Sequence, residues 1–151
     1  YSYWYLQELI ETVSALKRQG KFVIIGGISQ GGGAATWVGA VTDADVTVIL
    51  SGIYDQTDSV LFGQHQIHIP GLLQFSSLDN IGKQFEGRDV ILSFGRRDLP
   101  LFRHEAKNRN ACTAFLLHTE QLQCLIHDGG HASPPDLKDA LQIVLSRRHF
   151  N

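Results

Sequence analysis

The sequence predicts an α/β fold, a three-layer α/β/α arrangement around a mostly parallel sheet, in one domain. Two observations carry this. Four short, mainly apolar segments, at residues 22–25, 46–50, 90–94 and 122–126, read as strands, and the continuous apolar run of the first reads as one buried on both faces. The segments between them carry helical spacing or turn residues, and strands that alternate with helices call for parallel pairing through right-handed crossovers. A length of 151 residues suits a single domain with its own core.

The elements follow in order. Leu6, Leu9, Ile10, Val13 and Leu16 recur at three- and four-residue steps across residues 3–18, one apolar face of a helix that Gly20 stops. Phe22-Val23-Ile24-Ile25 is the first strand and ends at Gly26-Gly27. A glycine-rich turn then leads into a helix around Ala34-Ala35-Thr36-Trp37-Val38, and the second strand, 46–50, ends at Ser51-Gly52. Residues 54–77 hold no period and are interrupted by Gly63, Pro70 and Gly71, an excursion read as part of a substrate-facing wall. A short helix at 78–85 precedes the third strand, 90–94. Residues 103–117 are read as helix, 122–126 as the fourth strand and 134–148 as the last helix. Ser133 is expected to cap that helix with Pro134 in its first turn, and Leu137, Ala140, Leu141, Val144 and Leu145 form its apolar face. No repeat, low-complexity run or linker divides the chain.

Composition narrows the function classes. Thirteen basic against 15 acidic side chains leave a net charge of −2, which gives no electrostatic footprint for nucleic acid. No apolar stretch approaches the ~18–20 residues of a membrane span. Cys112 and Cys124 have neither the number nor the spacing of a zinc framework, and they are expected to be reduced, mostly buried thiols. No signal-peptide pattern is present, and both a cytoplasmic and a secreted location stay open. The chain opens on Tyr1 and contains no methionine, so a processed or partial chain is expected.

The chemistry concentrates in Gly26-Gly27-Ile28-Ser29-Gln30-Gly31-Gly32-Gly33. Gly27, Ser29 and Gly31 make G-x-S-x-G, set between a strand and a helix as a nucleophile elbow requires. At such a turn small residues must flank the serine, because backbone segments approach closely there. The Gln30 backbone N–H, at the helix N-terminus, would face a developing oxyanion. The competing reading is a glycine-rich loop that closes the βα turn or binds phosphate. The stretch lacks the Lys-Ser/Thr ending of a P-loop.

A serine hydroxyl needs a base to remove its proton and a carboxylate to orient that base. Asp98 follows the third strand in Gly95-Arg96-Arg97-Asp98-Leu99-Pro100, and His131 follows the fourth in His127-Asp128-Gly129-Gly130-His131. Nucleophile, acid and base then come in hydrolase order at the carboxyl edge of a parallel sheet. Asp55, Asp58 and Asp128 are weaker candidates for the acid. His127, Asp128 and His131 lack the further ligand that a zinc site needs. His65 and His68 are read as solvated or hydrogen-bonded loop residues. His118 and His149 sit near helix ends that tolerate positive charge. Arg96 and Arg97 are read as a solvated pair, with an anion-binding role as the second option. Trp4, Trp37 and Phe62 are expected in the core or an interface.

These motifs together resemble the C-terminal half of an α/β-hydrolase, similar to its dienelactone-hydrolase and acetyl-xylan-esterase-like branches. The elbow text Gly-Ile-Ser-Gln-Gly-Gly-Gly, Ile69-Pro70-Gly71-Leu72-Leu73, Asp98 after Gly95, and Gly130-His131 carry the likeness from about Lys21 to the last helix. The resemblance implies a serine esterase with Ser29 as nucleophile, Asp98 as acid, His131 as base and Gln30 as one oxyanion donor. It implies no metal or organic cofactor and a small ester as substrate. Peptide or thioester cleavage by the same triad, and an inactive assembly module, are the alternatives. The family's sheet has several strands ahead of the elbow strand, where this chain has one helix. Residues 1–151 are therefore expected to be a domain incomplete at its N-terminus. The expected macromolecular partner is the missing half or a second copy of the chain.

Overall fold

A computed structural model of the chain describes residues 3–52, 78–98, 105–119 and 121–148. Helix α1 (Tyr3–Arg18) has the bounds its spacing predicts. It ends where Gly20 adopts a φ of 70°. There the Gly20 N–H donates to the Lys17 carbonyl (2.9 Å) and the Lys21 N–H to the Leu16 carbonyl (3.0 Å). Those two bonds form the Schellman motif that occupies the last carbonyls of a helix. The Asp45 carboxylate then ties the helix end to the sheet, accepting from Lys17 Nζ at 2.7 Å and from the Val23 N–H at 2.8 Å.

Four strands, β1 (Ile24–Ile28), β2 (Val46–Leu50), β3 (Asp89–Gly95) and β4 (Leu122–His127), form a parallel sheet in the order β1-β2-β3-β4. β1 begins two residues and ends three residues later than its apolar run predicts. Its pairing extends from Ile24 opposite Val46 to Ile28 opposite Leu50, straight through Gly26 and Gly27. The apolar pattern stops at glycine, but the ladder needs glycine here, because a Cβ on Gly26 would stand 2.9 Å from that of Val48. Val23, just ahead of β1, donates its N–H to the Asp45 carboxylate, and its carbonyl accepts the Asp45 and Val46 N–H groups. β2 and β3 are buried along their whole length, as inner strands of a parallel sheet covered on both faces are. β1 lies at one edge of the sheet among the described residues, and its Ile24 is 43% exposed.

Helices α2 (Gln30–Val41), α3 (Leu78–Lys83), α4 (Glu105–Leu116) and α5 (Leu137–Arg148) complete the layers. Phe85, Phe94 and Phe115 are fully buried with Ile49, Val90 and Leu92 where α3 and α4 meet the sheet, and the rings of Phe85 and Phe115 are 5.3 Å apart. On the opposite face α5 lays Ala140 and Val144 over Val46, Val48, Leu50 and Ile91. Leu6 and Val13 of α1 pack with Ala34 and Val38 of α2. The result is the three-layer α/β/α arrangement read from the sequence. The Arg88 guanidinium bonds the carbonyls of Gly39 (2.7 Å) and Thr42 at the end of α2, where the helix dipole favours a cation.

Two expectations need correction. α5 begins at Leu137, not Pro134, so Ser133 does not cap it. Pro135 bars Pro134 from helical geometry, and the chain instead makes a turn in which the Leu137 N–H donates to the Pro134 carbonyl. Cys112 and Cys124 are not free thiols but form a disulfide from α4 to β4. Both side chains face the cluster around Phe115 and Leu122, so folding brings a helix cysteine and a strand cysteine together. Among the described residues, no helix is long and apolar enough to cross a membrane. The 54–77 excursion lies outside the described residues.

Candidate active site

Each strand of the sheet delivers one polar residue to the carboxyl edge: Ser29 after β1, Ser51 after β2, Asp98 after β3 and His131 after β4. The ladder continues past the strand ends and fixes their heights. The Ser29 N–H donates to the Leu50 carbonyl and the Ser51 N–H to that of Ser93, both at 2.8 Å.

Ser29 occupies the turn between β1 and α2 with φ 56° and ψ −120°. That is a left-handed region favouring glycine, and holding another residue there costs about 1–3 kcal/mol. The surroundings impose it. Besides the bond to Leu50, the Ser29 carbonyl accepts from the Gly33 N–H at 3.0 Å. A Cβ on Gly27 would collide with the backbone of Gly31, so the first glycine of G-x-S-x-G is what allows the chain to close this turn. Ser29 precedes the helix, yet its side chain makes no capping hydrogen bond. The hydroxyl is not spent on the helix. Gln30 opens α2, and the first N–H groups of a helix have no acceptor within it.

Asp98 and His131 are brought into direct contact, with Oδ1 2.6 Å from Nδ1. The Asp98 side chain is fully buried, and that of His131 is 27% exposed. A buried carboxylate is tolerated only when hydrogen bonds replace its water. The second oxygen, Oδ2, accepts from the Ser51 hydroxyl at 2.5 Å. With Asp98 as the acceptor, Nδ1 carries the proton and Nε2 is the nitrogen that bears the lone pair.

Backbone and side-chain bonds between the loops after β3 and β4 hold this pair. The Arg96 N–H donates to the His127 carbonyl (2.8 Å) and the Arg97 N–H to that of Gly129 (3.0 Å). Arg96 and Arg97 also bond Asp128, through its carboxylate and its carbonyl respectively, each at 2.6 Å. Gly95 is pressed against the Gly129 and Gly130 carbonyls, where a side chain would not fit.

The weaker candidates fall elsewhere. Asp128 is exposed and pairs with Arg96, which holds its carboxyl below the usual 3.8. The His127 ring accepts the Gly129 N–H on Nδ1 at 3.1 Å, and among the described residues no cluster of His, Cys, Asp and Glu could hold a metal ion. His118 pairs with Asp79 at 2.8 Å. Trp37 packs against the core, whereas Trp4 is 71% exposed. Asp55, Asp58, Phe62, His65, His68 and His149 lie outside the described residues. Sequence reasoning missed Ser51. The available signal was a Ser-Gly pair at the carboxyl end of a buried strand, the same edge that bears Ser29 and Asp98.

No protein-family model matches the chain, and neither does any curated protein. Solved structures do. The chain is similar to the Pyrococcus furiosus esterase Pf2001 at 19% identity and a TM-score of 0.64, over 94% of this chain and 61% of that one. It is similar to Arabidopsis thaliana SOBER1 at 16% identity and a TM-score of 0.54, over 95% of this chain and 64% of that one. To the esterase PE8 the values are 18% and 0.59, over 92% and 58%. The chain thus spans less than two thirds of the length of each. These likenesses show that it has the α/β-hydrolase fold.

Proposed function

We propose that the chain carries the catalytic triad of a serine hydrolase acting on carboxylic esters, with Ser29 as nucleophile, His131 as base and Asp98 as acid. The observation that carries this reading is the buried Asp98 bonded to Nδ1 of a partly exposed His131. A carboxylate sequestered from water against one imidazole nitrogen orients the ring and stabilises the imidazolium that proton transfer creates. The strained serine at the same sheet edge supports the nucleophile assignment. The esterases Pf2001 and PE8 share the fold, which favours an ester over a peptide or thioester.

In this reaction Ser29 Oγ attacks the ester carbonyl carbon while His131 Nε2 takes its proton. The Gln30 N–H stabilises the oxyanion, one such donor being worth roughly 10²–10³ in kcat. The tetrahedral species collapses, the alcohol leaves with the proton from His131, and an acyl-Ser29 ester remains. A water deprotonated by His131 then attacks that ester and releases the acid, restoring Ser29. Every step uses a side chain or backbone group of this chain. Short-chain nitrophenyl esters test the reading with the intact gene product. Wild-type turnover and its loss in a folded Ser29→Ala variant are expected, and equal turnover by both would overturn it.

A further inference from the structure

We infer that Ser51 is a positioning residue that fixes the plane of the Asp98 carboxylate, and through it the His131 imidazole. The inference rests on the triad reading above. Ser51 is fully buried at the end of β2, on the strand between those that deliver Ser29 and Asp98. Its hydroxyl donates to Asp98 Oδ2 at 2.5 Å while Oδ1 faces His131 Nδ1 at 2.6 Å. The last torsion of an aspartate is broad and roughly two-fold, so a bond to one oxygen alone defines the carboxylate plane poorly. A second bond on the other oxygen fixes it.

The backbone at Ser51 makes the same point. Its φ is 45°, a left-handed conformation that glycine adopts without strain. The neighbouring Gly52 is packed so tightly on Gly32 and Gly33 that a Cβ would collide with their backbone, which leaves the turn no room to relax. Glycine would suit position 51 on conformational grounds. Serine adds a hydroxyl there, and that hydroxyl is bonded to the buried acid.

The test compares Ser51→Ala and Ser51→Gly, each alone and combined with Asp98→Asn, in the intact protein. Both Ser51 variants are expected to lower kcat by about 10- to 100-fold, the weight of a hydrogen bond to a charged group, with KM little changed. Ser51→Gly also relieves the positive φ, so it should resist unfolding at least as well as Ser51→Ala and still show the loss. In the Asp98→Asn background either change should cost nothing further, because the route through the carboxylate is already cut. The downfield proton resonance of the His131–Asp98 hydrogen bond, assigned by its absence in His131→Ala, should move in both Ser51 variants. Losses that multiply independently of Asp98, activity recovered by glycine, or an unmoved resonance would each overturn the inference. That resonance needs no turnover, so it tests Ser51 even if Ser29→Ala shows the hydrolase reading itself to be mistaken.

Discussion

Asp98 Oδ1 and His131 Nδ1 lie 2.6 Å apart, joined across the loops that follow neighbouring strands of one parallel sheet. The carboxylate is sealed from solvent and the imidazole is not. Replacing Asp98 by Asn keeps the shape and exchanges an acceptor oxygen for a donor amide group. The amide N–H then faces Nδ1, the ring proton moves to Nε2, and the lone pair that would accept the Ser29 proton is lost. Asp98→Asn should lower kcat roughly a thousand- to ten-thousand-fold with little change in KM, measured by steady-state ester hydrolysis. Activity within a few-fold of wild type would place the acid elsewhere.

The disulfide predicts a thiol count. Denatured without reductant, the chain should show no free thiol to a chromogenic reagent, and after reduction it should show both of its cysteines. Replacing both cysteines by alanine should cost about 2–4 kcal/mol in urea unfolding, the usual effect of closing a loop of this order. Two thiols in the unreduced, denatured chain would contradict the pairing.

Asp128 gives a pH dependence whose sign is fixed. Arg96 holds its carboxyl below the ordinary value of 3.8, so the folded state binds that proton less readily than the unfolded chain does. The stabilisation is present above 3.8 and is lost as the pH falls through the lower folded value. Asp128→Asn should therefore unfold at a slightly lower urea concentration than wild type at pH 7, and the gap should close in strong acid. A gap that persists there would assign the effect to something other than the ion pair.

The parts of this molecule legible in the sequence are those set by local pattern. α1 carries its whole apolar stripe and its glycine stop in consecutive residues, and its bounds follow directly. β2 and β3 are long enough in apolar residues to be read as buried strands. Ser29, Asp98 and His131 could be singled out as candidates because strand ends are legible and a parallel sheet sets its strand ends on one edge. What was illegible depends on long-range packing. The β1 ladder runs through glycines that carry no hydrophobic signal. The Cys112–Cys124 bridge requires knowing that α4 lies over β4. Ser51 reads as the tail of a strand until Asp98 is placed beside it.

The central claim is that Ser29 is the nucleophile, and a fluorophosphonate probe tests it most directly. The intact protein is treated with the probe, digested, and the adduct located by mass spectrometry. The account predicts one phosphonylated site, on the peptide bearing Ser29, with labelling lost in Ser29→Ala and greatly slowed in His131→Ala. Labelling that survives in Ser29→Ala, or an adduct on another residue, would contradict it.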